Sequence, residues 1–452
     1  MARQPTTRLQ VSGYRFLVRR MEHALLRGDI EMLHPVRTQS LSFIGGCVLA
    51  VIVAAGCAIL AYLRPDAALG DAPIVMSRDG ALYARSGDAL HPVLNLASAR
   101  LIAGSDAKPK LVDAGAIGQA KRGPLLGIPG APAAIGKPLG DDIAWTVCDG
   151  ATTTMIAGPP KVVEQAQPAV LVTPRSESAA TTYLLYDGWR AEVDLRNPAV
   201  VWALRLDSVE PRPVSRILLD AIPEAPPIAP PHVPGLGSPG AVAGQPVGTV
   251  IRVPRVDAND YFVVLADGVQ RVGEVAADLI RIAGSQSGRD VVSLSPGGLA
   301  GVPVVDTLPV SALPRRAGTP RGKGDGVLCA QWLNTANTSL WLDDSSPASD
   351  VVDLAQADGD GPNLDTVVIP AGRSAYVRAT SLTGKGRGKG PLYLVTDSGV
   401  LFGIRDEDAA AHLGLGGSPA TAPWPVLSRL PRGPELSREA ALIAHDGIGA
   451  PP

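Results

Sequence analysis

Apolar and polar positions alternate differently along three regions of the chain. Leu41 to Leu63 contains no charged residue. As a helix rising about 1.5 Å per residue it spans roughly 34 Å, enough for about 30 Å of hydrocarbon. Backbone polar groups in lipid must pair within the segment, so the run predicts one transmembrane helix. A buried helix of a soluble core is the alternative. A cleavable signal peptide would be shorter, nearer the terminus and followed by small residues. This run closes instead on Tyr62-Leu63-Arg64-Pro65, an interfacial aromatic and a helix stop.

Upstream, Tyr14, Leu17, Met21, Ala24 and Leu25 recur at helical spacing, with Arg15, Arg19 and Glu22 off that stripe. Ser12 is placed to cap this helix, which should run to about Arg27 and stop at Gly28. It is too short to bury its stripe alone. Pattern leaves two readings open: a helix resting on anionic lipid, or a docking helix for other membrane subunits.

Downstream, four segments repeat one pattern of strand, strand, tight turn, strand and short helix. The turns are Ser86-Gly87-Asp88, Asp187-Gly188, Asp267-Gly268 and Ser398-Gly399. Gly and Asp tolerate positive φ, so such pairs between apolar runs signal hairpins. Four occurrences of a unit of about 40 residues indicate an internal repeat. Two further apolar strands, Ile143 to Cys148 and Val327 to Trp332, each hold one Trp and one Cys, in reversed order.

Charge fixes the expected orientation. Residues 1–40 carry seven Arg against Glu22, Asp29 and Glu31, a balance of +4, and positive flanks stay in the cytoplasm. The chain totals −2, so the remainder carries −6. That excludes a basic nucleic-acid-binding face. Of four cysteines, Cys47 and Cys57 fall in the membrane span as small apolar residues. Cys148 and Cys329 are the only pair in the exported part, where thiols are expected to form a disulfide.

The run Gln10 to Asp29, then Met32-Leu-His-Pro35, then a single span, resembles the start of the EccB family. The likeness continues through Pro211 to Pro227, Gly390 to Asp397, Ala422 to Pro425 and Leu430 to Ala441, and is looser between 285 and 365. EccB is the single-span core component of the mycobacterial type VII (ESX) secretion system. The resemblance implies four small repeat domains around a central core. It implies the partners EccC (the motor ATPase), EccD, EccE and the mycosin protease, with self-association outside the cytoplasm.

The expected fold is therefore mixed α+β and β-rich: one N-terminal transmembrane helix, then an elongated, pseudo-twofold extracytoplasmic body. The expected divisions are a cytoplasmic head with its docking helix (1–40), the membrane helix (41–63), repeats at 73–104, 166–210, 248–284 and 374–416, and core halves at 105–165 and 285–373. A Pro-rich linker (211–247), extended and stiff over its Pro run Ala225 to Pro234, and a Pro-rich tail (417–452) with a short helix at Ser437 to Ala444 complete the chain.

No enzymatic site emerges. A phosphate loop needs G-x-x-x-x-G-K-[ST]. Gly130 to Pro138 has one residue too many and Pro where the hydroxyl belongs, and Gly384 to Gly390 lacks a hydroxyl after Lys389. The six His are scattered without metal spacing, and Asp141-Asp142 and Asp343-Asp344 read as solvated turns. The expectation is a structural subunit at the cell membrane, N-terminus inside and body periplasmic, with no cofactor or metal. The alternatives are an ATPase, as the family is commonly called, with ATP as its cofactor, and a cell-wall glycan-binding module.

Overall fold

The computed structural model describes residues 7–27, 35–63, 69–140, 142–162, 168–175, 181–256, 259–284, 291–333, 338–345, 349–384 and 388–446. The chain divides into two units, Met1–Gly70 with Val112–Ala116, and the rest.

The first unit holds two long helices. α1 (Arg8–Arg27) begins earlier than Ser12. The Thr7 carbonyl accepts from Gln10 N (2.9 Å), and the Thr7 N–H donates to Gln10 Oε1 (3.1 Å). This is one half of a capping box, in which the residue three positions on satisfies an orphan donor. Ser12 is thus interior to the helix, and Gly28 lies outside the described residues. α2 (Pro35–Leu63) starts on proline, which suits a first helical turn because its missing N–H has no partner there. Its 29 residues span about 43 Å, longer than the apolar window Ser42–Ile59 within it. Cys47 and Cys57 are exposed on α2.

Four sheets share one topology, each with strand order third, second, first, fourth. They are built from Ile74–Ser77, Leu82–Ser86, Ala89–Pro92 and Lys110–Val112; from Val170–Pro174, Tyr183–Tyr186, Trp189–Glu192 and Arg212–Val214; from Val250–Pro254, Asn259–Val264, Val269–Val272 and Val292–Ser293; and from Arg373–Thr380, Leu392–Thr396, Leu401–Ile404 and Ala420–Pro423. The first three strands form a meander. In the last three sheets the fourth strand runs parallel to the first. Parallel return requires a crossover, supplied by Leu96–Ala103, Pro198–Ala203, Glu274–Ala283 and Glu407–His412. Asn95, Asn197 and Asp406 cap three of these helices with their side chains. At the second turn Asp187 (φ 46°) and Gly188 (φ 80°) both take the left-handed conformation that a two-residue hairpin demands.

Each sheet extends past the end expected for its repeat. The fourth strand lies beyond 104, 210, 284 and 416 in turn. A further segment, Pro-bearing in all four cases, then runs parallel beside the third strand. The pairings are Leu90 with Arg122 and Val93 with Leu126, Arg190 with Glu224 and Val193 with Ile228, Val269 with Val304, and Leu401 with Arg432 and Ile404 with Leu436. Residues 211–228, the first part of the expected Pro-rich linker (211–247), thus form a strand, the helix Arg216–Asp220 capped by Ser215, and this strap, burying Ile217, Leu218, Ile222 and Ile228. The tail helix is Arg438–Ala441, and Ala444–His445 pair with Leu125–Leu126.

Packing follows the sheets. The first and fourth share one apolar cluster, including Leu101, Ile102, Phe402 and Leu413. The second and the third's crossover helix share another, including Val200, Leu204, Val275 and Leu279. Between these lies a six-stranded sheet in the order Thr338–Asp343, Val327–Trp332, Ala144–Asp149, Thr153–Gly158, Thr366–Val368, Val352–Asp353. One face of it packs against residues of both the second and fourth sheets, among them Val172, Val214, Val377 and Val395.

Candidate functional site

The two cysteine-bearing strands lie side by side and antiparallel, with Cys148 opposite Cys329 and Trp145 opposite Trp332. The cysteines are disulfide-bonded with Cα atoms 4.1 Å apart, the close approach of a non-hydrogen-bonded pair. Side chains alternate faces along a strand, so a three-residue offset separates Trp from Cys. The indoles enter the main core, and the disulfide packs with Trp341 on the opposite face. Lys161 stands over Trp341, 5.2 Å from the ring centroid, and pairs with Asp343 at 2.8 Å. The hydrogen bond from Lys161 holds the Asp343 carboxyl below its ordinary value.

Beside the disulfide, Asp149 is almost completely buried. It accepts from Arg175 Nη2 (2.5 Å), Ser215 N (3.2 Å) and Thr153 Oγ1 (3.3 Å). A buried carboxylate needs such partners, since an unpaired one would be neutralised. Arg175 directly follows the second sheet's first strand and Ser215 directly follows its fourth, so this cluster ties that sheet to the core. Asp220, at the end of the helix Arg216–Asp220, accepts from Arg429, which follows the fourth sheet's last strand in sequence. No local sequence pattern pointed to either ion pair, because the partners meet only through sheet order.

On α1, Tyr14, Leu17, Met21 and Leu25 are all exposed. Val11 and Val18, also exposed, lie on the same side at helical spacing and widen the stripe. Arg8, Arg15 and Arg19 flank it.

The phosphate-loop lookalike is not a cradle. Lys137–Pro138 form a strand paired parallel with Arg373–Ser374, and a Cβ on Gly136 would meet the Arg373 backbone at 2.7 Å. In Gly384 to Gly390, residues 385–387 lie outside the described residues. Asp141 does too, while Asp142 and Asp344 are exposed. Among the described residues no His, Cys, Asp and Glu cluster could hold a metal ion.

The family model described as "Type VII secretion system ESX-1, transport TM domain B" matches residues 3–450. The chain belongs to the EccB family. Curated EccB relatives include the ESX-5 secretion system ATPase EccB5 of Mycobacterium tuberculosis, 35% identical over 98% of this chain and 94% of that protein. The ESX-3 secretion system ATPase EccB3 of Mycolicibacterium smegmatis is 37% identical over 99% and 92%. Among solved structures, a chain of an intact ESX-5 inner membrane complex matches with TM-score 0.70 and 33% identity, covering 100% of this chain and 98% of its own. A chain of the EccB3 dimer from the ESX-3 core complex matches with TM-score 0.70 and 32% identity, covering 82% and 100%. The mixed, β-rich fold with one apolar N-terminal helix is thus that of EccB, a structural component of ESX secretion systems.

Proposed function

We propose that this chain is a non-catalytic, single-span scaffold of an ESX inner membrane complex. The observation that carries this reading is the match of the whole chain to an EccB chain within an intact ESX-5 inner membrane complex. The +4 head keeps the N-terminus in the cytoplasm, and the body that carries the sheets lies in the periplasm. α1 serves as the docking helix through Tyr14, Leu17, Met21 and Leu25. EccC, EccD, EccE and the mycosin protease are its partners within the system, and the body assembles with its own copies. The four sheets of shared topology are copies of one repeat, and a pseudo-twofold exchanges the two halves of the chain.

The test of orientation is a reporter active only outside the cytoplasm. Fused after Pro452 it should be active. Fused at Pro35, with the rest deleted, it should be silent. The reverse pattern overturns the topology.

A further inference from the structure

The exposed apolar residues of α1 keep a regular step. Val11, Tyr14, Val18, Met21 and Leu25 follow one another at intervals of three, four, three and four. That spacing lays one continuous seam along a helix. Leu17 borders the seam and is also exposed. Tyr14, Leu17, Val18 and Met21 thus stand at i, i+3, i+4 and i+7, the anchors by which a helix lies in an apolar groove.

The seam is not the only apolar surface of α1. At 100° per residue, Leu9 and Phe16 fall on the opposite side of the helix, and both are exposed. A helix resting in a bilayer surface keeps that far side polar, because lipid covers one side only. A cleft between helices covers more than one.

The charge on α1 selects the walls of such a cleft. The helix carries Arg8, Arg15, Arg19, Arg20 and Arg27 against Glu22 alone, a balance of +4. Arg8, Arg15, Arg19 and Arg20 are exposed and make no ion pair among the described residues. Arg8 and Arg15, seven residues apart, run along one border of the seam. Arg8 also opens the helix, where a cation opposes the macrodipole, and no acid stands in that first turn to offset it. A carboxylate brought by a partner would relieve both. A second α1 would bring the same positive charge to the same seam.

We propose that α1 docks into a cleft between helices of another protein, apolar along its floor and lined with carboxylates along the wall facing Arg8 and Arg15. The inference rests on α1 being the docking helix, and it names the chemistry of what α1 docks to. Exposed guanidinium–carboxylate pairs are individually weak, so the seam supplies affinity. The arginines set which partner is accepted and which way the helix lies.

The test uses the full chain co-produced with the other ESX membrane subunits and purified as the complex in detergent. The photo-crosslinker p-benzoylphenylalanine replaces Tyr14, and cross-linked peptides are identified by mass spectrometry. They should come from helices of another subunit that carry Asp or Glu beside their apolar residues. Arg8→Glu with Arg15→Glu should lower the cross-linking yield at least about fivefold, whereas Arg8→Lys with Arg15→Lys should keep it near wild type. Raising NaCl from about 0.1 M to about 0.5 M should lower the wild-type yield as well, which decides the matter even if the reversed variant is not recovered. A yield indifferent to both charge reversal and salt would overturn the proposal, as would cross-links to a second α1 or to helices without carboxylates. If Leu17→Asp and Leu25→Asp still abolish the cross-link in that case, α1 docks but not through its arginines. Cross-links to lipid alone, unmoved by either leucine variant, would end the docking reading itself.

Discussion

Cys148 faces Cys329 directly across two antiparallel strands, one from each half of the chain, 181 residues apart in sequence. The reversed order of Trp and Cys in those strands is what antiparallel pairing needs for each residue to meet its like. The bond therefore joins the centre of the core sheet and encloses the second and third sheets in one covalent loop.

Closing so long a loop removes much of the unfolded chain's freedom. The chain-entropy model gives about 5 kcal/mol for it, an upper figure if the folded state is strained. Cys148→Ser and Cys329→Ser should each lower the melting temperature of the detergent-solubilised chain, and the double variant should be no worse than either single. Peptide-level mass spectrometry of non-reduced, unfolded protein should find neither Cys148 nor Cys329 free to alkylate, while Cys47 and Cys57 react. Alkylation mapped to Cys148 and Cys329, beyond that of the free Cys47 and Cys57, would refute the bond.

Asp278 gives a pH dependence of definite sign. Burial raises its carboxyl above the ordinary value, and Arg281, 3.6 Å away, offsets this only in part. A carboxyl with a raised folded pKa binds its proton more tightly when folded. Its contribution is full below the unfolded pKa, about 3.9, and is lost as pH rises through the folded value. Asp278→Asn should therefore melt higher than wild type at neutral pH, with the gap closing in acid below about pH 4. A lower melting temperature at neutral pH would mean that the Arg281 pair outweighs the burial.

Much of this architecture was legible locally. The charge-free run gave α2, and Asp187-Gly188 and its counterparts gave the meanders, because turn chemistry and apolar runs act over a few residues. The fourth strands were hidden: Arg212–Val214 and Val292–Ser293 are too short for periodicity, and Ala420–Pro423 ends in proline. The straps were hidden by composition, since proline there suggests a linker while its strand-edge position makes it tolerable. A signal was present in Pro223-Glu-Ala-Pro226 and Pro431-Arg-Gly-Pro434, which occupy equivalent places. Thr7-x-x-Gln10 likewise marked the start of α1. The Asp149–Arg175 pair could not be read at all, because only sheet order brings it together.

The exposed stripe on α1 makes a sharp prediction about assembly. Leu17→Asp and Leu25→Asp, residues 60% and 84% exposed, place charge on it without touching the body. Each should abolish co-purification of the other ESX membrane subunits while the body's melting temperature stays unchanged. A complex that survives both would leave the helix resting on lipid.

ATP turnover by the purified full chain separates a scaffold from a motor. It should be followed through successive purification steps for the wild type, Lys137→Ala and Lys389→Ala, the two lysines of the phosphate-loop lookalikes. A scaffold predicts specific turnover that falls towards zero as purity rises and is identical in all three proteins. Turnover that rises with purity and vanishes in either variant would contradict it.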